Sequence, residues 1–199
     1  MKTFLIKGLL AFLSFNLLTN FLNAATITWG EPTTIAGDSD VTKIGTTIGA
    51  YTFGDLQNPT INEITFNGIT PEAGYNNHDS AFGSNAAPFS ELSLEYQTLL
   101  QSGSFQRGPV TFKFDDLVIG QKYQIQVWVN DSRALADEKT LTLTAGKSVT
   151  LSQNTTGVEG GVGQYVVGTW VADEVSQIIN VSSTSGVLIN AYRLSVLVK

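Results

Sequence analysis

The segment Tyr123-Gln124-Ile125-Gln126-Val127-Trp128-Val129-Asn130 alternates apolar and polar side chains and runs directly into Asp131-Ser132-Arg133. A period of two puts alternate residues on opposite faces of a strand. Tyr123, Ile125, Val127 and Val129 then face a core, and Gln124, Gln126, Trp128 and Asn130 share the face expected to meet solvent. An indole among amides is the chemistry of a sugar platform: the ring stacks on the C–H face of a pyranose while neighbouring polar groups hydrogen-bond its hydroxyls. Gln126, Asn130, Asp131 and Arg133 are the polar candidates, at a strand end where side chains can converge on a ligand. Tyr75, His78 and Asp79, with Phe82, lie in the loop 67–88 and could form an opposing wall. The same residues admit a plainer reading. Trp128 is then covered by a helix or by the long loop, Asp131 pairs with Arg133, and the loop residues only anchor their loop.

Gly37-Asp38-Ser39-Asp40 invites comparison with the nucleophile block of GDS-type esterases. Serine activation needs a base, and the sequence has one histidine, His78, in a Tyr-Asn-Asn-His context rather than three positions after an aspartate near the C-terminus. That comparison therefore fails on its partners. Asp38 and Asp40 have a second reading, since carboxylates two apart in a turn supply the hard oxygens that a structural calcium takes. The alternative is that Asp38 and Ser39 hydrogen-bond the local backbone as ordinary turn residues. Zinc is excluded as a usual site, because one histidine and no cysteine cannot assemble its nitrogen and sulfur ligands. Glycoside hydrolysis would need two carboxyls at a fixed separation; Asp79, Asp131, Asp137 and Glu138 are available in loops, but loop acids are usually just solvated. No catalytic constellation emerges, and no cofactor is required.

These residues need a scaffold, and the rest of the chain describes one. Of 199 residues, 42% are hydrophobic and 14% charged, which suits a globular core. The formal charge of −6 argues against a nucleic-acid partner. Short alternating runs separated by Gly, Asn and Asp predict strands over 26–29, 47–53, 61–66, 110–114, 123–130, 140–144, 148–151, 164–171, 176–181 and 186–196. Residues 145–147 read as a hairpin turn. Trp29 and Trp170 have apolar neighbours and are assigned to the core. One helix is expected over 90–101, capped by Ser90, with Phe89 and Leu94 as a hydrophobic staple. Loops are expected over 67–88, 131–139 and 152–163.

Residues 1–24 carry Lys2 and Lys7, an apolar stretch and a small-residue end at Ala24-Ala25, the pattern of a secretory signal peptide. Asn16, Thr19, Asn20 and Asn23 interrupt that stretch, which distinguishes it from a membrane anchor. The exported domain is then 25–199, secreted or at the cell surface, with no membrane insertion after leader removal. Without cysteine it has no disulfide to hold it.

Leu117-Val118-Ile119-Gly120-Gln121-Lys122-Tyr123, the strand and Asp131-Ser132-Arg133 that follow, Gly161 to Trp170, and Ile189-Asn190-Ala191-Tyr192-Arg193-Leu194 resemble modules of bacterial secreted proteins with the galactose-binding-like jelly roll. Ile27-Thr28-Trp29-Gly30 and Gly37 to Val41 fit the same pattern. The resemblance implies an all-β fold, a single-domain antiparallel β-sandwich with one short helix, shared with many carbohydrate-binding modules. It also implies a structural calcium near the termini, for which Asp38 and Asp40 are the residues here. The expected function is non-catalytic glycan or polysaccharide binding. A structural or adhesive surface protein that self-associates is the alternative.

Overall fold

Period-two patterning carries through into the fold, but the face it exposes is not always open. The computed structural model describes residues 25–54, 57–69, 76–135 and 137–198. The expected leader, 1–24, and Tyr75 lie outside the described residues. In chain order the strands begin with β1 (Thr28–Trp29), β2 (Thr33–Thr34), β3 (Thr46–Phe53), β4 (Thr60–Ile61), β5 (Ile64–Thr65), β6 (Asn67–Ile69) and β7 (Asn76–His78). Helix α1 (Leu94–Gln101) follows, then β8 (Gly103–Gln106), β9 (Val110–Phe114), β10 (Lys122–Val129), β11 (Thr140–Ala145) and β12 (Lys147–Ser152). The last are β13 (Gln164–Val171), β14 (Gln177–Ser182), β15 (Val187–Ile189) and β16 (Ala191–Leu197).

One sheet runs β1-β13-β10-β16-β3-β6, with β2 also on β13, and a second runs β12-β11-β14-β9. The neighbours within them are antiparallel apart from β3 and β6, which run parallel. Tyr123, Ile125, Val127, Val129, Val166 and Leu194 from the first sheet meet Leu141, Leu143, Leu151, Ile179 and Val181 from the second in one core. The expected all-β sandwich with one short helix is the observed architecture. Trp170 is buried in this core and Trp29 packs against it, half-exposed, its Nε1 donating to Lys147 O at 3.2 Å. The β11–β12 hairpin turns at Gly146, whose φ of 73° suits glycine.

A second apolar cluster lies on the other face of the first sheet. Trp128, Ala191 and Ala50 meet Tyr96, Leu99 and Leu100 of α1, Phe89, Phe66, Ile61 beside the β4–β5 hairpin, and Ile35, Val41 and Val162. Consequently β10 is buried on both faces from Tyr123 to Val129, whereas β14 alternates buried and exposed because its outer face meets water.

Several local expectations are corrected. The helix starts later than Ser90: Phe89–Glu91 form a separate 3₁₀ turn, and Ser93 is the cap, its Oγ accepting from Tyr96 N at 3.2 Å. The staple is absent because Phe89 is buried while Leu94 is 79% exposed. The strand expected over 61–66 is a tight hairpin turned by Asn62 and Glu63, both at positive φ. The strand expected over 186–196 breaks at Asn190. Its first part, β15, joins β8 and β7 in a three-stranded sheet that the alternation did not foretell.

Candidate functional site

The strand face that looked open is closed. Trp128 is fully buried: its Nε1 donates to Tyr96 Oη at 2.9 Å, and its ring meets Phe66 edge-on with centroids 5.5 Å apart. Tyr96 Oη in turn donates to Asp40 Oδ2 at 3.3 Å. Burial first, and then the Asp40 charge, push the Tyr96 hydroxyl well above its ordinary pKa, so it stays a neutral donor. Gln126 is equally buried; its Nε2 donates to Asp40 O at 2.7 Å and its Oε1 accepts from Thr42 N at 3.1 Å. Asn130 Oδ1 accepts from Gly163 N at 2.9 Å. Trp128, Gln126 and Asn130 therefore do not form a sugar platform, which corrects the expectation from sequence. The physical reason is that α1 and the β4–β5 hairpin roof this face, and Trp128, Gln126 and Asn130 find their polar partners in α1, the segment at Asp40 and Gly163.

Asp38 and Asp40 open a 3₁₀ turn. Asp40 Oδ2 accepts from Ala36 N at 2.7 Å and Gly37 N at 3.0 Å, besides Tyr96, and Asp38 Oδ1 accepts from the helix-capping Ser93 Oγ at 2.6 Å. A calcium site needs oxygens converging on a point, and these accept N–H and O–H donors instead. No group of three or more acidic or histidine side chains gathers among the described residues. The donor set does not fit calcium and fits the tie between this turn and α1. Excess chelator is accordingly expected to leave the melting temperature of the purified chain unchanged; a drop of several degrees would restore the calcium reading.

Beyond the end of β10 lies an open groove of about 210 Å³ lined by His78, Ala81, Phe82, Phe105, Arg133, Lys139 and Ser185. Asp131, with its side chain only 1% exposed, anchors it. Arg133 lies side-on to that carboxylate, Nε to Oδ1 and Nη2 to Oδ2, each at 2.7 Å, and Lys139 Nζ lies 3.4 Å from Oδ2. The guanidinium carbon sits 5.0 Å from the centre of the buried Phe82 ring, whose edge-on neighbour is His78 at 5.8 Å. Hydrogen bonding to Asp131 holds the Arg133 pKa above its ordinary value against the opposing effect of burial. Phe105, half-buried, lies against Gly186, where φ is 109° and a Cβ would collide with the ring.

Of the residues singled out from sequence, Arg133, His78 and Phe82 line this groove and Asp131 supports it. Asp79 turns away, its Oδ1 accepting from Ser80 Oγ at 3.0 Å and Ser102 Oγ at 3.2 Å. Lys139, Phe105 and Ser185 were missed. Lys139 closes the loop that Asp131 opens, a spacing that could have flagged it. Phe105 and Ser185 come from β8 and from the turn before β15, distant in sequence and without a local signal.

No family model and no curated protein matches this chain. Among solved structures, two of a Bacteroides uniformis β-glucuronidase, one covalently bound to cyclophellitol-6-carboxylate aziridine, resemble it with TM-scores of 0.53 and 0.54 at 16% identity. The match covers 75% of this chain and 18% of each of theirs. The extracellular domain of ANXUR1 from Arabidopsis thaliana matches with a TM-score of 0.54 at 10% identity, over 77% of this chain and 49% of that one. The chain thus spans less than a fifth of the glucuronidase chains and about half of the ANXUR1 domain. At such identities the likeness is one of fold, and the fold held in common is a β-sandwich.

Proposed function

We propose that the chain is an exported, non-catalytic carbohydrate-binding module whose ligand lies in the groove of Arg133, Lys139, His78 and Phe105. The observation that carries this reading is the fixing of Arg133 by a buried carboxylate below and an aromatic ring beside it. A donor fork held in one orientation loses little entropy when a sugar hydroxyl reaches it. Phe105 offers apolar surface for a ring face, and His78 and Ser185 add hydrogen-bonding groups. The similarity to part of β-glucuronidases supports an accessory, sugar-related role, and the similarity to an extracellular domain supports export. Among the described residues no helix is long and apolar enough to cross a membrane. The groove's lining contains no carboxylate, and Asp131 is committed to two cations, so the carboxyl pair that glycoside hydrolysis requires is missing there.

The test is a glycan-array screen of the purified chain beside Arg133→Ala. Charge-assisted hydrogen bonds contribute roughly 1.5–3 kcal/mol each, so the variant is expected to lose about tenfold or more in affinity for whatever glycan binds. Retained affinity would move the site elsewhere.

A second reading, an adhesive or structural surface, is favoured by Val118, Ile119 and Val175, which are about 60% exposed. Their loops are joined by hydrogen bonds from Leu117 N to Val175 O and from Gly120 N to Ala172 O. A folded chain that binds no glycan would favour that reading.

A further inference from the structure

We infer that the groove selects saccharides bearing a carboxylate, the uronic acids, over neutral ones; this rests on the carbohydrate reading above. Two cations share one counter-charge at this site. Asp131 lies beneath them, while the Arg133 and Lys139 side chains are 50% and 31% exposed. A ligand therefore meets the cations and not the carboxylate. None of the lining residues is acidic. Of the acids in the flanking loops, Asp79 accepts from two serines, and Glu138 lines a separate trough with Thr34, Thr140, Thr150 and Ser152. The charged side chains that line the groove, Arg133 and Lys139, are thus both cations in a chain whose formal charge is −6, a local reversal that neutral hydroxyls do not need.

The geometry also suits a carboxylate. Side-on pairing through Nε and Nη2 commits one edge of the Arg133 guanidinium to Asp131. Its end-on edge, Nη1 with the second hydrogen of Nη2, is the fork that takes a second carboxylate in two parallel bonds. Lys139 meets Asp131 through a single 3.4 Å contact and has further donors beyond it. A uronate ring lying on Phe105 would bring its C5 carboxylate to these two side chains and its hydroxyls to His78 and Ser185.

The experiment is titration calorimetry of the full purified chain with a tetragalacturonate, the same oligosaccharide as its methyl ester, and a sulfated galactan oligosaccharide, at low and high salt. The acid is expected to bind about tenfold or more tighter than the ester, with the difference shrinking in salt. Lys139→Met, which removes one of the two cations and leaves the Arg133–Asp131 partners in place, is expected to remove most of that preference, read as the ratio of acid to ester affinity. Arg133→Gln is expected to remove it too, with circular dichroism confirming the fold. Equal binding of acid and ester overturns the uronate inference while leaving carbohydrate binding standing. Preference for the sulfated oligosaccharide overturns it in favour of sulfate recognition. Absence of binding by all three, together with a blank array, overturns both readings.

Discussion

Trp128→Ala is expected to lower unfolding stability by about 3–5 kcal/mol, the range for removing a large buried aromatic. The indole is completely buried, meets Phe66 edge-on, packs near Tyr165 with centroids 6.3 Å apart, and gives its only N–H to Tyr96. Alanine would leave a void between the first sheet and α1 and strip Tyr96 Oη of a donor. Urea denaturation should show the midpoint falling with little change in slope. Tyr96→Phe separates the polar part: it removes only the hydroxyl, leaves Nε1 without its acceptor, and should cost about 1–3 kcal/mol. A loss below about 1 kcal/mol for Trp128→Ala, within the range of ordinary surface changes, would mean that the indole lies open after all.

The second large effect is expected at Asn190, where β15 gives way to β16. Its Oδ1 accepts from Asn130 N at 2.6 Å, and its Nδ2 donates to Leu100 O at 2.7 Å, Ser102 O at 2.9 Å and Asn130 O at 3.2 Å. One carboxamide thereby ties the end of α1 to the ends of β10 and β16, in a place with no exposure to water. Asn190→Ala would strand several buried backbone groups at roughly 1–3 kcal/mol each, so a total loss of about 3 kcal/mol or more is expected. Asn190→Asp should be at least as damaging, because it turns a carboxylate toward three carbonyl oxygens in a dry site. Thermal melts of the three chains side by side check this. An aspartate variant as stable as the parent would show that water enters the network.

These two residues mark where reading the chain alone succeeds and where it stops. Strands β9, β10 and β13 were predicted to within a residue, because alternation is local and the inward half of each strand must be apolar whatever covers the other half. The helix was legible from its leucines, but its start was not: Ser90 and Ser93 are both competent caps, and the burial of Phe89 in the second cluster decides between them. The pairing of Asp131 with Arg133 was legible as one of two readings because the residues lie two apart. That this pair holds a groove was not, since Phe105 reaches it from β8 and Ser185 from the turn before β15.

By itself the amino-acid sequence determined the all-β class, most strand positions and a helix ending near residue 101, all of which follow from composition and from periodicities a few residues long. Only the tertiary structure decided which face of β10 is wet. A row of glutamine, tryptophan and asparagine reads the same whether water or a helix satisfies its polar groups, and here α1 and the turn at Asp40 do so through partners 30 to 86 residues away. That long-range closure moved the candidate site from the strand's middle to its end, where the buried Asp131 holds Arg133 and Lys139 at the surface.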